Sequence, residues 1–189
     1  MTTLAPTLTT RILPAVDQKL RDLLLVSAGA LLVALLAQVR IPLPFTPVPL
    51  TGQTFAVLLV GAALGSRRGL ASLSLYTLIG ALGLPIFAGA ASGLAYAFGP
   101  TGGYLLGFIA AAYVTGLLAE RGLERSIRTS LLPFLAGTII IYALGATWLA
   151  FFVGAEAAIA KGILPFLPGD ILKLALAAIA LPAAWKFVR

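Results

Sequence analysis

The sequence contains no cysteine and no histidine, and only 6 of its 189 residues are acidic. Without thiols and imidazoles there is no disulfide framework, no metal site of the usual Cys or His type, no histidine general base and no cysteine nucleophile. The side chains that most enzyme mechanisms use are therefore absent. We expect a protein that is not an enzyme and carries no cofactor.

Charge of both signs is scarce. Charged residues make up 10% of the chain, hydrophobic residues 60%, and the mean hydropathy is +1.07, which is typical of integral membrane proteins. The apolar runs cover the whole length and no cleavable leader pattern begins the chain. We therefore expect one membrane domain over residues 1–189, with residues 1–21 as a cytoplasmic N-terminal segment.

The apolar runs predict an all-α protein with six transmembrane helices. A hydrocarbon core of about 30 Å needs about 20 helical residues, and reading residues 50–84 as one helix would leave Arg67 and Arg68 near the bilayer centre, at roughly 2.5 to 3.5 kcal/mol each. Two short spans that turn at "GSRRG" fit better. The predicted spans cover residues 23–39, two within 50–84, 101–119, 131–153 and 169–185.

Two long loops between these spans have unusual compositions. Residues 40–54 carry prolines at positions 42, 44, 47 and 49, which lack backbone donors and forbid a continuous helix. Residues 83–104 are uncharged but rich in glycine and proline, and we expect them to enter the protein. We predict that both are structured outer loops.

The basic residues favour membrane orientation over nucleic-acid binding as their explanation. An even number of spans places both termini on one side, and this side holds ten basic residues, whereas the other loops hold Arg40 and Lys161. The asymmetry predicts that both termini are cytoplasmic. The ten are Arg11, Lys19, Arg21, Arg67, Arg68, Arg121, Arg125, Arg128, Lys186 and Arg189.

Asp170 and Lys173 are charged residues of the sixth predicted span. Their i, i+3 spacing puts them on one helix face, and charges at membrane depth are candidates for a functional site. The alternative is that Asp170 caps the helix after Pro168 and Gly169 while Lys173 neutralises it and extends outward. The spacing leaves both interpretations open.

Non-helical backbone at membrane depth is tolerated where it lines a cavity, so the two loops and the sixth helix predict an outward-opening pocket. Its composition suits a small amphipathic ligand with a negative group. No Gly-Lys-Ser/Thr follows the glycines of "FGPTGGYLLG", so they do not form a phosphate loop. The pocket candidates are Arg40, Thr46, Thr51, Gln53, Thr54, Ser92, Tyr96, Thr101, Tyr104, Asp170 and Lys173, with Phe45, Phe87 and Phe98 as apolar walls.

Four segments, "IPLPFTPVPLTGQT", "GSRRGLASLSLYTLIGALGLPIFAG", "GPTGGYLLGF" and "FLPGDILKLALA", resemble in order the signature segments of the BioY family. These are the biotin-specific substrate-binding (S) subunits of energy-coupling-factor (ECF) transporters. The resemblance implies a subunit that captures biotin at the outer face. It also implies import driven by a transmembrane coupling protein and two ABC-type ATPase subunits.

The resemblance also implies roles for individual residues. Asp170 and Lys173 match the acid and base that contact biotin, and small residues of the first helix, here Ala30 and Ala34, would dock on the coupling protein. Ala30 and Ala34 also form a small-xxx-small row by their spacing. The remaining implied pocket residues are Arg40, Phe45, Thr51, Gln53, Phe87, Gly102, Gly103 and Tyr104.

Two rival functions remain open on the sequence. One is a subunit of the same architecture for another small vitamin, which differs only in its pocket residues. The other is an independent secondary transporter that works as an oligomer, with Asp170 coupling protons; six short helices without visible repeats are few for that role.

Overall fold

Apolar helical segments broken at glycines and prolines dictate the fold. The computed structural model describes residues 17–123 and 126–187, and the predicted N-terminal segment lies outside this part up to residue 16. Within the described ranges the chain forms α1 Gln18–Gln38, β1 Arg40–Ile41, β2 Leu50–Thr51, α2 Gln53–Leu64, α3 Ser66–Ala81, α4 Leu94–Ala97, α5 Gly102–Glu120, α6 Ile127–Val153, α7 Ala155–Gly162 and α8 Leu167–Phe187.

Glycines with positive φ separate consecutive helices. Gly65 (φ 86°) divides α2 from α3, and Gly154 (φ 85°) divides α6 from α7, conformations that cost glycine little. The predicted turn at "GSRRG" is wrong in one respect, because α3 already begins at Ser66. Arg67 and Arg68 thus lie in the first helical turn.

Polar contacts connect helix ends at the end of the bundle where α3 begins. Arg68 on α3 forms an ion pair with Asp22 on α1 at 2.7 Å. Glu120, the last residue of α5, accepts hydrogen bonds from the backbone N–H of Ser66 at 2.8 Å and from its hydroxyl at 2.9 Å. Glu120 therefore satisfies donors at the start of α3, which intrahelical bonds leave free.

The small residues of α1 pack inside the chain. Ala30 is 7% and Ala34 9% exposed, and α1 packs against α3 and α2. The outward side of α1 instead carries larger residues, among them Leu31 and Leu35, which are exposed.

The predicted boundaries agree with the structure to within about two residues for α5 and α8, whereas α1 begins five residues before the predicted start at 23. Three described helices are long and apolar enough to cross a bilayer: Gln18–Gln38, Gly102–Glu120 and Thr129–Val153. At 12 residues, α2 spans only about 18 Å. The structure therefore supports an all-helical membrane fold without confirming six spans.

Both long loops are ordered against the other end of the bundle. The proline-rich loop is closed by antiparallel pairing of Arg40 with Thr51 and of Ile41 with Leu50, strands that the sequence analysis did not predict. The second loop contains α4, and it enters the protein as expected, since Phe87 and Ala88 are buried.

Gln38, the last residue of α1, holds the second loop in place. Its side-chain nitrogen donates to the carbonyls of Ile86 at 3.3 Å and Phe87 at 3.2 Å, and its oxygen accepts from the Ala90 N–H at 2.9 Å. This loop is therefore fixed to the first helix by one side chain.

Gly116 lies where α5 packs closely against the break between α2 and α3, and a substitution there tests this packing. A Cβ there would come under 3.0 Å from backbone atoms of Gly65 and Ser66, so Gly116→Ala should lower the free energy of unfolding by about 1–3 kcal/mol. Thermal unfolding in detergent measures this. The matched control is Gly169→Ala on α8, where the nearest atom is 3.5 Å away; an equal loss in both variants would contradict the packing argument.

Candidate ligand-binding site

A cavity opens at the end of the bundle that carries the two loops, and the space in it that no atom fills is about 520 Å³ when its part open to solvent is included. Its wall combines residues from the proline-rich loop, α2, the segment before α5, α5, α6 and the start of α8. The lining residues are Val48, Pro49, Leu50, Thr51, Gln53, Thr54, Tyr96, Thr101, Tyr104, Leu105, Phe108, Ile141, Tyr142, Phe166, Asp170 and Lys173.

Asp170 is the centre of the polar part of this wall, with 5% exposure. The Tyr142 hydroxyl donates to its Oδ2, while Oδ1 accepts from the Thr54 hydroxyl at 3.3 Å and forms an ion pair with Lys173 Nζ at 2.8 Å. The carboxylate therefore joins α2, α6 and α8. A buried charge requires such partners, since desolvating it alone is very costly.

The capping interpretation of Asp170 does not match its contacts. Because α8 begins at Leu167, Asp170 sits at the fourth helical position, and its own N–H bonds to the Phe166 carbonyl at 2.9 Å. Its carboxylate accepts hydrogen bonds from side chains of other helices and from Lys173. The helix dipole still favours a negative charge in this first turn.

The alternative interpretation expected Lys173 to extend outward, but its side chain points to Thr54 and Asp170. Its Nζ lies 2.8 Å from both Thr54 Oγ1 and Asp170 Oδ1, and its side chain is 18% exposed. An ammonium group carries three donors, so one N–H remains after these two contacts. Lys173 can therefore donate to a ligand without leaving Asp170.

Arg40 lies in a space next to the cavity rather than in the cavity wall. This space is lined by Arg40, residues of the proline-rich loop, Ala88 and Tyr96, and it shares Pro49 and Tyr96 with the cavity. The Arg40 guanidinium lies over Gly89, where a Cβ would collide with it. Burial raises the pKa of the Tyr96 phenol above its ordinary value, so Tyr96 is a neutral group between the two spaces.

Gln53, Thr51 and Tyr104 line the cavity, as the sequence analysis expected. The Thr51 hydroxyl donates to the Gln53 side-chain oxygen at 3.1 Å. The Tyr104 hydroxyl donates to the Gly162 carbonyl at 2.7 Å. This bond fixes the end of α7 against α5, so Tyr104 presents its ring more than its hydroxyl to the cavity.

Other predicted pocket residues lie outside the cavity wall. Phe45 is 55% exposed, and Phe87 is buried between Tyr76 and Tyr96, with ring centroids 5.5 and 5.0 Å away. Gly102 and Gly103 are buried where α5 packs on Trp148. A larger side chain at Gly103 would collide with Trp148, so these glycines permit helix packing behind the site.

The wider set of candidates is divided between the cavity wall and its surroundings. Thr46 lines the space beside Arg40 and Phe98 faces an apolar groove between α3 and α5, whereas Thr54, Tyr96 and Thr101 line the cavity. Ser92 lines none of these three spaces.

The sequence analysis missed Tyr142 and the apolar wall of Phe108, Ile141 and Phe166. Tyr142 carries a hydroxyl in the otherwise apolar run "TIIIYALG", and a buried phenol usually finds a hydrogen-bond partner. That signal could have singled it out. The apolar residues have no such signal, because the chain is rich in identical residues that face lipid.

Comparisons with known proteins agree with this geometry. The model of the BioY family matches residues 7–189. A probable biotin transporter BioY from Pyrococcus horikoshii is 45% identical over 130 residues, which cover 68% of this chain and 76% of that protein. The biotin transporter BioY of Rhizobium etli is 39% identical over 142 residues, 71% and 76% of the two chains.

The fold also matches a solved structure. The crystal structure at 2.1 Å of the S-component for biotin from an ECF-type ABC transporter superposes with a TM-score of 0.80 at 27% identity, covering 89% of this chain and 93% of that one. The resemblance inferred from the four signature segments is confirmed, and the named relatives are transporters rather than enzymes. This chain is a multi-pass membrane protein that belongs to the BioY family.

Proposed function

We propose that this protein is the biotin-binding S subunit of an ECF-type uptake system, which captures biotin with high affinity at the outer face of the membrane. The observation that carries the proposal is the buried cluster of Asp170, Lys173, Thr54 and Tyr142 in a cavity whose wall also holds the apolar residues Phe108, Ile141 and Phe166. A polar end and an apolar wall match a ligand with a polar ring and a hydrocarbon chain.

The polar cluster suits the ureido ring of biotin, which offers two N–H donors and one carbonyl. A carboxylate accepts about four hydrogen bonds, and Asp170 receives three from Tyr142, Thr54 and Lys173. One acceptor site remains for a ureido N–H. The free N–H of Lys173 can donate to the ureido carbonyl, and such charge-assisted bonds are stronger than neutral ones.

Arg40 suits the carboxylate end of biotin. Lys173 is engaged with Asp170, which leaves Arg40 as the cation beside the cavity that can pair an acid. The shared residues Pro49 and Tyr96 connect the two spaces. The hydrocarbon chain would then run along the apolar wall of Phe108, Ile141 and Phe166 toward Arg40.

In the proposed topology, six helices span the inner membrane of a bacterial cell. The cavity opens to the outside, and both termini lie in the cytoplasm. Six helices of 12 or more residues in the described part of the chain support the count. Arg67 and Arg68 lie at the end opposite the cavity, as the positive-inside rule requires.

The proposed partners are a transmembrane coupling protein and ABC-type ATPase subunits, since the matching structure belongs to an ECF-type ABC transporter. The predicted docking on Ala30 and Ala34 stays a prediction. Both residues are buried against the chain's own core, so docking through them requires α1 to shift on α3.

Biotin binding to the detergent-purified protein tests the site. Because a charge-assisted hydrogen bond contributes about 1.5–3 kcal/mol, Asp170→Asn and Lys173→Ala should each weaken binding by about tenfold to a hundredfold. Isothermal titration calorimetry measures the Kd.

The matched control for this experiment is Lys161→Ala, which removes a half-buried lysine on α7 at the same end of the bundle but outside the cavity. Its Kd should equal that of the wild type. Failure of the folded wild type to bind biotin would refute the substrate, and tight binding of another vitamin would then identify the alternative. Unchanged binding in both site variants would refute the proposed role of the ion pair.

Single cysteines test the topology cleanly, because the chain contains no cysteine of its own. A membrane-impermeant maleimide should label Glu156→Cys, at the cavity end, in intact cells, and Arg67→Cys, at the opposite end, only after permeabilisation. The reverse pattern, or labelling of both from outside, would contradict the proposed orientation.

Uptake of radiolabelled biotin by cells tests the energising partners. Cells that express the chain together with a coupling protein and ATPase subunits should accumulate biotin, and an inactive ATPase variant should abolish accumulation while binding persists. Equal, ionophore-sensitive uptake by the chain alone would instead indicate a secondary transporter.

A further inference from the structure

Tyr76 lies outside the cavity but contacts groups that form it. It is fully buried in α3, and its hydroxyl lies 2.8 Å from Gln53 Nε2 and 3.3 Å from the Ile86 carbonyl. Its ring packs edge-on against Phe87, which stacks on Tyr96. Tyr76 therefore contacts the cavity residue Gln53 directly and is connected to a second one, Tyr96, by the ring of Phe87.

The hydrogen bonds around Tyr76 fix the orientation of the Gln53 amide. The hydroxyl has one proton, and the Ile86 carbonyl can only accept it. Tyr76 must then accept from Gln53, so the NH₂ group of Gln53 faces Tyr76. The amide oxygen is left on the side of Thr51, whose hydroxyl donates to it at 3.1 Å.

This orientation decides what Gln53 offers to a ligand. Tyr76 is not part of the cavity wall, whereas Thr51 and Gln53 are. A carbonyl oxygen has two lone pairs, and Thr51 uses one. The second lone pair of the Gln53 oxygen is therefore available to a donor, and Gln53 lines the cavity next to Thr54, which contacts Asp170.

We infer that Tyr76 is a positioning residue that holds the carbonyl of Gln53 toward the cavity, so that the site selects a ligand with a second N–H donor next to the one received by Asp170. This inference rests on the proposed function and deepens it. The two acceptors, Asp170 and Gln53, would read the two N–H groups of one ureido ring. A ligand with an acceptor at the second position would face the Gln53 oxygen and be rejected.

Two analogues of biotin test the inference, each with one ureido N–H replaced by oxygen to give a cyclic carbamate. Oxygen changes donor to acceptor at almost constant size. In the wild type, the isomer whose ring oxygen faces Gln53 should bind at least about tenfold more weakly than biotin. In Tyr76→Phe the Gln53 amide can rotate and offer its NH₂ group, so this penalty should fall to about threefold or less.

The second isomer, with oxygen at Asp170, is the internal reference, because Tyr76→Phe should not change its penalty relative to biotin. Tyr113→Phe removes the hydroxyl of a partly exposed tyrosine on α5 and should change neither ratio. The background Gln53→Met shows whether Tyr76 acts through Gln53: there, Tyr76→Phe should leave both ratios unchanged.

A merely structural role for Tyr76 predicts other results. Equal weakening of biotin and both analogues by Tyr76→Phe, or an unchanged effect of this substitution in the Gln53→Met background, would overturn the inference while biotin binding stood. If Tyr76→Phe does not fold, Gln53→Met alone decides, since it should abolish the binding penalty of the isomer with oxygen opposite Gln53 and keep that of the other isomer. If both penalties persisted in Gln53→Met, the inference would be overturned. A wild type that binds no biotin would overturn the proposed function and the inference together.

Discussion

The need to keep one buried carboxylate paired holds the cavity end of this bundle together. Asp170 lies among apolar helices, where an unpaired charge would cost several kcal/mol, and its partners come from α2, α6 and α8. Three segments that are far apart in sequence must therefore converge at one place. Such a pair is weak evidence for stability, because replacing both charges by apolar residues would also remove the cost of desolvating them.

The loops depend on a second set of contacts that leads back to the same place. Gln38 fixes the loop after α3, and the buried ring of Phe87 connects that loop to Tyr76 and Tyr96. Tyr76 bonds Gln53, and the next residue, Thr54, bonds Asp170. The polar end of the cavity and the loops above it thus form one connected structure within the described part of the chain.

Much of this arrangement could be predicted from the sequence. Hydropathy located the helices, prolines and glycines located the loops, and the isolated charges Asp170 and Lys173 indicated the candidate site, since both line the cavity. Tertiary facts could not be predicted in the same way. The pairing of Arg40 with Thr51 depends on where α2 starts, and the contact of Tyr142 with Asp170 spans 28 residues. The inward packing of Ala30 and Ala34 was equally hidden, because small residues on an apolar helix suit an internal or an external neighbour.

The closed proline-rich loop has a consequence for the kinetics of ligand exchange. Its ends are joined by the pairing of β1 with β2 and by a bond from the Gly52 N–H to the Val39 carbonyl, and its prolines restrict the backbone between them. A strap of this kind has little conformational entropy left to lose when a ligand arrives. Ordering of this loop would therefore add little to the free-energy cost of ligand entry.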